Sequence, residues 1–233
     1  RNRAEGWTHA KLSGHENEIN IELSFSDSSF CAQFSQRLGI AQIKTVRVGG
    51  LCETTVPSVL GGNTKSKTDL SILLEDGKKI NISIKKSDSG QVYLISVERF
   101  IQGYEKQFSI TIPEDIKDTL RLYFHGHPDT SKLLESPSVT HLEKTSLIQY
   151  QVRKQRLVWT SLENFDKEKA NNFLEWIKNN IKNIAEYCFS KGLARNQEDW
   201  ADYVWYINTL GENQFDAIFA VSDISFPRTV FYH

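Results

Sequence analysis

Asp69 and Lys85 stand at matching ends of two alternating stretches, and their types offer chemistry. Leu70, Ile72 and Leu74 alternate with Asp69, Ser71 and Leu73. Beyond Asp76-Gly77, Ile80, Ile82 and Ile84 alternate with Asn81, Ser83 and Lys85. Period-two alternation on both sides of an Asp-Gly turn signal predicts a β-hairpin. A three-residue loop, Asp76 to Lys78, pairs Leu70 with Ile84, Ile72 with Ile82 and Leu74 with Ile80. Ser71 then faces Ser83 and Asp69 faces Lys85 on the other side of the ribbon. A two-residue loop would pair apolar with polar throughout, and a one-residue slip would turn one apolar set to the wrong face. Ser83 and Lys85 fall roughly 6–7 Å apart along the strand. A carboxylate is a hard oxygen ligand suited to Mg2+. A neighbouring ammonium can orient or deprotonate a water, or stabilise charge developing on a phosphate. The same spacing also serves a cross-strand ion pair, worth under about 1 kcal/mol.

The wider stretch Gly61 to Phe108 resembles the catalytic core of the PD-(D/E)xK nuclease superfamily, most closely the small type II restriction endonucleases that cut short four-base GC sites. The residues that carry the resemblance are Gly61-Gly62, Lys67-Thr68-Asp69, Ile82-Ser83-Ile84-Lys85, and Gly90-Gln91-Val92 followed by an amphipathic segment. It implies that Asp69 binds the metal, helped by the Ile84 carbonyl, and that Lys85 serves the attacking water. Ser83 stands where most of that superfamily has Glu or Asp. A hydroxyl is a weaker ligand than a carboxylate, so the number of metal ions and their affinity stay open. Gly6-Trp7 to Glu18 resembles the opening of the same group, which makes Glu18 the candidate for a further carboxylate near the metal. A solvated helix residue is the other reading of Glu18. The resemblance implies Mg2+-dependent hydrolysis of double-stranded DNA at a short specific sequence, leaving a 5′-phosphate. A repair or junction-type nuclease of the same core, or a catalytically weak DNA-binding relative, stands beside it.

These residues need elements to hold them. Phe30, Phe34 and Leu38 recur at helical spacing before Gly39, and Ile40 to Val48 reads as a strand. Leu51 to Lys67, with Pro57, Gly61 and Gly62, reads as a loop. Lys65 and Lys67 in it could meet phosphates or be plain surface lysines. Val97, Phe100, Ile101, Tyr104 and Phe108 form a helical stripe, expected to cover the sheet. Gln91 sits in the loop before it, which the resemblance brings toward DNA. Ile116, Leu120 and Phe124 continue a stripe after Pro113. Arg153-Lys154-Gln155-Arg156 is the densest basic run. Asp166 to Phe189 is the clearest helix, with Phe173, Ile177, Ile181, Ile184 and Cys188 as its buried stripe. Asn196 offers an N-cap for a second helix carrying Trp200, Tyr203, Val204 and Ile207. Asn171 to Tyr206 loosely resembles the DNA-gripping half of the same enzymes, so Lys191, Arg195 and Asn196 in the connector are candidate DNA contacts. Phe215 to Val221 and Thr229 to Tyr232 read as closing strands.

The expected fold is α/β, a restriction-endonuclease-like mixed central sheet flanked by helices. One nuclease domain spans 1–233, with a catalytic core at 1–108, a mostly helical DNA-gripping part at 109–210 and terminal strands at 211–233. At 233 residues the chain can bury a sizeable core. Its 28 Lys plus Arg against 29 Asp plus Glu give a net charge of −1, so any DNA-binding surface must be local. No run approaches the roughly 18 consecutive apolar residues of a membrane helix, and no signal-peptide core opens the chain. The three cysteines, Cys31, Cys52 and Cys188, form no CxxC pair, which favours reduced thiols and a cytoplasmic setting. His125, His127 and His141 lack zinc-like spacing. Methionine is absent, even at position 1, which leaves open whether the chain is a piece of a longer one.

Overall fold

A computed structural model describes residues 20–21, 23–48, 55–87, 95–125, 159–208 and 215–224. The chain divides into two compact units, one made of Arg1–Leu94 with Ala185–His233, the other of Ile95–Ile184.

The first unit is built on a five-stranded sheet. Its strands are β1 (Ile43–Val48), β4 (Leu70–Leu74), β5 (Lys79–Ser87), β6 (Tyr203–Asn208) and β7 (Phe215–Ala220), lying in that spatial order. β5 and β6 run parallel and every other neighbouring pair is antiparallel. The sheet is therefore mixed, and helices flank it, as the α/β expectation required. A short second ribbon pairs β2 (Thr55–Pro57) with β3 (Asn63–Lys65), inside what the sequence presents as plain loop. Gly61 and Gly62 turn it at φ 88° and 62°, backbone that side chains seldom adopt.

The alternation of β4 and β5 becomes burial. Leu70, Ile72, Leu74, Ile80, Ile82 and Ile84 all join one core with Phe34 and Trp205. Burying each such side chain contributes about 1.5–3 kcal/mol. Phe34 comes from the helix α1 (Ser28–Leu38), capped at its start by the Asp27 side chain and ended by Gly39 in left-handed backbone.

Two expectations need correction. The hairpin loop has three residues but begins one earlier, at Glu75. Gly77 takes φ 84°, its N–H donates to Leu74 O, and Leu74 N–H donates to Lys78 O. The register is therefore Leu70 with Ile82, Ser71 with Asn81 and Ile72 with Ile80, two residues from the expected pairing. A slip of two preserves the faces of a pleated ribbon, so the apolar pattern cannot detect it. The glycine can, because the left-handed position of such a loop falls on Gly77. The second correction is larger. Tyr203, Val204 and Ile207, expected on a helix, lie in β6. Adjacent Val204 and Trp205 are both buried, so β6 is covered on both faces at these two positions, and a near-continuous aromatic and β-branched run suits such a strand.

In the second unit, helices Val97–Phe108, Glu114–Leu120, Trp159–Phe165 and Lys167–Ala185 form around aromatic contacts. Tyr104 is fully buried against Phe100, Phe108 and Trp176. The expected stripe of the long helix is buried only in part: Phe173 is enclosed, but Ile181 is 36% exposed. Lys117 bridges Glu105 and Glu114 at 2.9 Å each.

Candidate active site

Ile84 and its parallel neighbour Trp205 both face the core, so Ser83 and Lys85 face the other side of the sheet. Asp69, at the entry to β4, comes to lie against them. Its N–H donates to Ile82 O at 2.9 Å, holding it to β5. Its Oδ2 accepts from Ile84 N–H at 2.7 Å, Ser83 Oγ at 3.3 Å and Lys85 Nζ at 3.3 Å. The carboxylate thus takes the place of a main-chain carbonyl at the end of the β4–β5 ladder. With the corrected register, Ser83 meets Asp69 first, and Lys85 reaches back from the next position on the same face.

Lys85 Nζ also donates to Ile84 O at 2.9 Å. The ammonium therefore sits between a carboxylate oxygen and a carbonyl oxygen, the two that the resemblance implies for the metal. The second carboxylate oxygen, Asp69 Oδ1, has no protein partner among the described residues. Asp69 and Lys85 are 20% and 15% exposed, so the pair is sheltered yet reachable, while Ser83 is fully enclosed. The donor set is hard oxygen: one open carboxylate oxygen and a carbonyl. That fits Mg2+, which keeps several waters and is held through one or two carboxylates. Among the described residues no group of three or more His, Cys, Asp or Glu is gathered for a metal.

Nearer the turn, the same face carries a cluster that the sequence does not announce. Asn81 Oδ1 accepts from Ser71 Oγ at 2.8 Å, and its Nδ2 donates to Glu198 O and Trp200 O at 2.8 and 2.9 Å. Asn81 N–H donates to Asp202 Oδ2 at 2.8 Å, and Asp202 N–H to Asn81 O at 2.7 Å. Ser66 Oγ and Thr68 Oγ1 both donate to Asp199 O. These bonds fasten the segment before β6 to the strands that carry Asp69 and Ser83. The one visible signal was a polar Asn in an isoleucine-rich strand, a residue strands disfavour.

The candidate DNA contacts are brought together by the pairing of the β2–β3 ribbon with the connector after Lys191. Val59 N–H donates to Leu193 O, Arg195 N–H to Pro57 O, and Ser58 bridges Ala194. Lys65 is exposed on β3. The Lys67 stem lies against Gly192, where an added Cβ would come within 2.9 Å of Lys67 Cε. Lys191 pairs with Glu186 at 2.7 Å and sits 4.7 Å above the Trp200 ring. The Arg195 guanidinium donates to Ser58 O at 3.0 Å. Asn196 precedes the short turn Gln197–Asp199 without a side-chain cap bond, and its Nδ2 donates to Asp199 Oδ2 at 3.4 Å. Cys188 is buried beside this connector, and burial pushes its thiol up to about 11, with Lys67 opposing. Glu18, Gln91, the Arg153–Arg156 run, His127 and His141 lie outside the described residues.

No family model matches the chain, and no curated protein matches it. Among solved structures it is similar to restriction endonuclease MspI in complex with its cognate DNA, at 13% identity and a TM-score of 0.43. The match covers 82% of this chain and 62% of that one, so the chain spans less than two thirds of that enzyme's length.

Proposed function

We propose that the chain is a Mg2+-dependent endonuclease that hydrolyses double-stranded DNA at a short specific sequence, in the manner of type II restriction enzymes. The observation that carries the reading is the contact at 3.3 Å between Asp69 and Lys85 on one sheet face, with no protein partner for Asp69 Oδ1 among the described residues. Asp69 and the Ile84 carbonyl would hold the metal, with Glu18 as a further ligand. Bound there, Mg2+ supplies charge neutralisation at the phosphate and an activated water. Lys85 orients that water and donates to a phosphate oxygen. Ser83 donates a hydrogen bond to the carboxylate and fixes its orientation. Water adds to phosphorus and the bond to the 3′-oxygen breaks, leaving a 5′-phosphate and a 3′-hydroxyl. Lys65, Lys67, Lys191, Arg195 and Asn196, gathered along the β2–β3 ribbon and its connector, are the proposed backbone and base contacts, with Gln91 as a further one. Such proximity of basic side chains supports DNA binding despite the near-zero net charge of the chain.

Incubating plasmid DNA with the protein and Mg2+, then sequencing the ends, tests the reading. Discrete fragments with one shared end sequence are expected, and Lys85→Ala should abolish them while most DNA binding survives. Full activity in that variant means the site is elsewhere. Ser83 favours a second reading, a relative that holds DNA but cuts it weakly. Tight binding without Mg2+-dependent fragments would select it over the first.

A further inference from the structure

The sheet face that carries Lys85 continues onto β6 and β7. Lys85 is aligned with Tyr206, Ser83 with Val204, and these in turn with Ala217 and Phe219. Because Trp205 and Ile218 face the core side, Tyr206, Phe215 and Phe219 all stand on the face of Asp69 and Lys85. Their rings form a continuous ridge. Tyr206 lies 6.1 Å from Phe215, and Phe215 lies 6.3 Å from Phe219 with planes inclined by 23°. Phe215 and Phe219 are 48% and 38% exposed, and they are the two phenylalanines among the large apolar side chains left open in the described residues.

We infer that this ridge is a stacking platform for an unpaired nucleobase of the nucleic acid whose phosphate is bound at Asp69 and Lys85. The inference rests on the nuclease reading and adds a substrate feature to it: a base released from its pair beside the cut. Three observations favour a base over other occupants. The exposed groups are rings with roughly parallel planes, and every base has a face that stacks on such rings. The ridge begins one strand from Lys85, about 5 Å away across the sheet, and ends on the next strand. At about 3.4 Å of rise per nucleotide along one strand, that is a reach of one to three nucleotides. Lastly, Tyr206, the ring nearest the polar site, is aligned with Lys85 on the neighbouring strand.

The test uses the full chain with Ca2+ in place of Mg2+ to hold off cleavage. Two probes share one sequence, a fully paired duplex and a duplex carrying one unpaired 2-aminopurine. Stacking should quench the unpaired 2-aminopurine on binding. In Phe215→Leu and Phe219→Leu, which keep an apolar side chain but remove the ring, the affinity ratio of unpaired over paired probe should fall about tenfold per ring. Unchanged fluorescence in the unaltered protein, or an unchanged ratio in both variants, overturns the platform even where plasmid cleavage succeeds. Quenching without any cleavage leaves the platform standing and removes the nuclease. Concentration-dependent self-association that both variants abolish would assign the ridge to a second copy of the chain instead. Should a variant misfold, the quench in the unaltered protein still decides.

Discussion

Ser71, Asn81 and Asp202 gather at one end of the polar sheet face, Asp69, Ser83 and Lys85 at the other, and the two groups differ in how fully they are bonded. Around Asn81 both side-chain functions are used, and the residue is almost completely enclosed. Around Asp69 three donors converge on one oxygen, while the other has no partner among the described residues and lies beside a partly exposed ammonium. A saturated buried network fixes geometry, because each group would be costly to strand. A network with an open oxygen can accept something more. The two clusters share strands, so the first acts as the frame for the second.

That contrast can be broken in order of effect. Asp69→Asn keeps an acceptor for Ile84 N–H but removes the charge. Cleavage should fall by about 10³-fold or more, equivalent to roughly 4 kcal/mol, with the unfolding midpoint little changed. A small loss of rate with a large loss of stability would place Asp69 in the frame instead. Asn81→Leu leaves Ser71 and two carbonyls without their partner and should cost about 2–3 kcal/mol in urea unfolding. A cost below about 0.5 kcal/mol would erase the distinction between the clusters. Ser83→Asp places a second carboxylate in the site. Calorimetry should show Mg2+ binding about tenfold tighter, with the metal-free protein less stable because like charges adjoin.

The smallest effect sharpens the rule elsewhere, at the saturated Glu105 group of the second unit. Burial alone would raise the Glu105 carboxyl, but hydrogen bonds from Lys117 Nζ and Ile112 N–H outweigh it and leave the folded value lowered. The group therefore adds stability above the unfolded carboxylate value, about 4.3, and loses it as pH falls through the lower folded value. Thermal melts between neutral and acid pH should show that decline, and Glu105→Gln should flatten it.

The alternation of six aliphatic residues made the hairpin, its faces and the Asp69–Lys85 pair legible, because each depends on neighbours a few positions away. The offset was illegible from hydrophobicity, since moving two residues leaves the same side chains inside. β6 was misread because Tyr203-Val204-Trp205-Tyr206-Ile207 is apolar at nearly every step, so its period carries little information. What decides it is the neighbour β5, which supplies a parallel ladder. The role of Asn81 was hidden for a related reason: its partners at 198–202 lie far along the chain.

β5 and β6 are side by side, yet all of Ile95–Ile184 is threaded between them in sequence. During synthesis the sheet therefore stays incomplete until β6 and β7 emerge. Until then β5 presents a bare ladder of Ile82 and Ile84, open to mispairing with another copy. The closing step joins distant segments and is set by chain-closure entropy, which predicts slow, late assembly of the half-sheet beside Lys85.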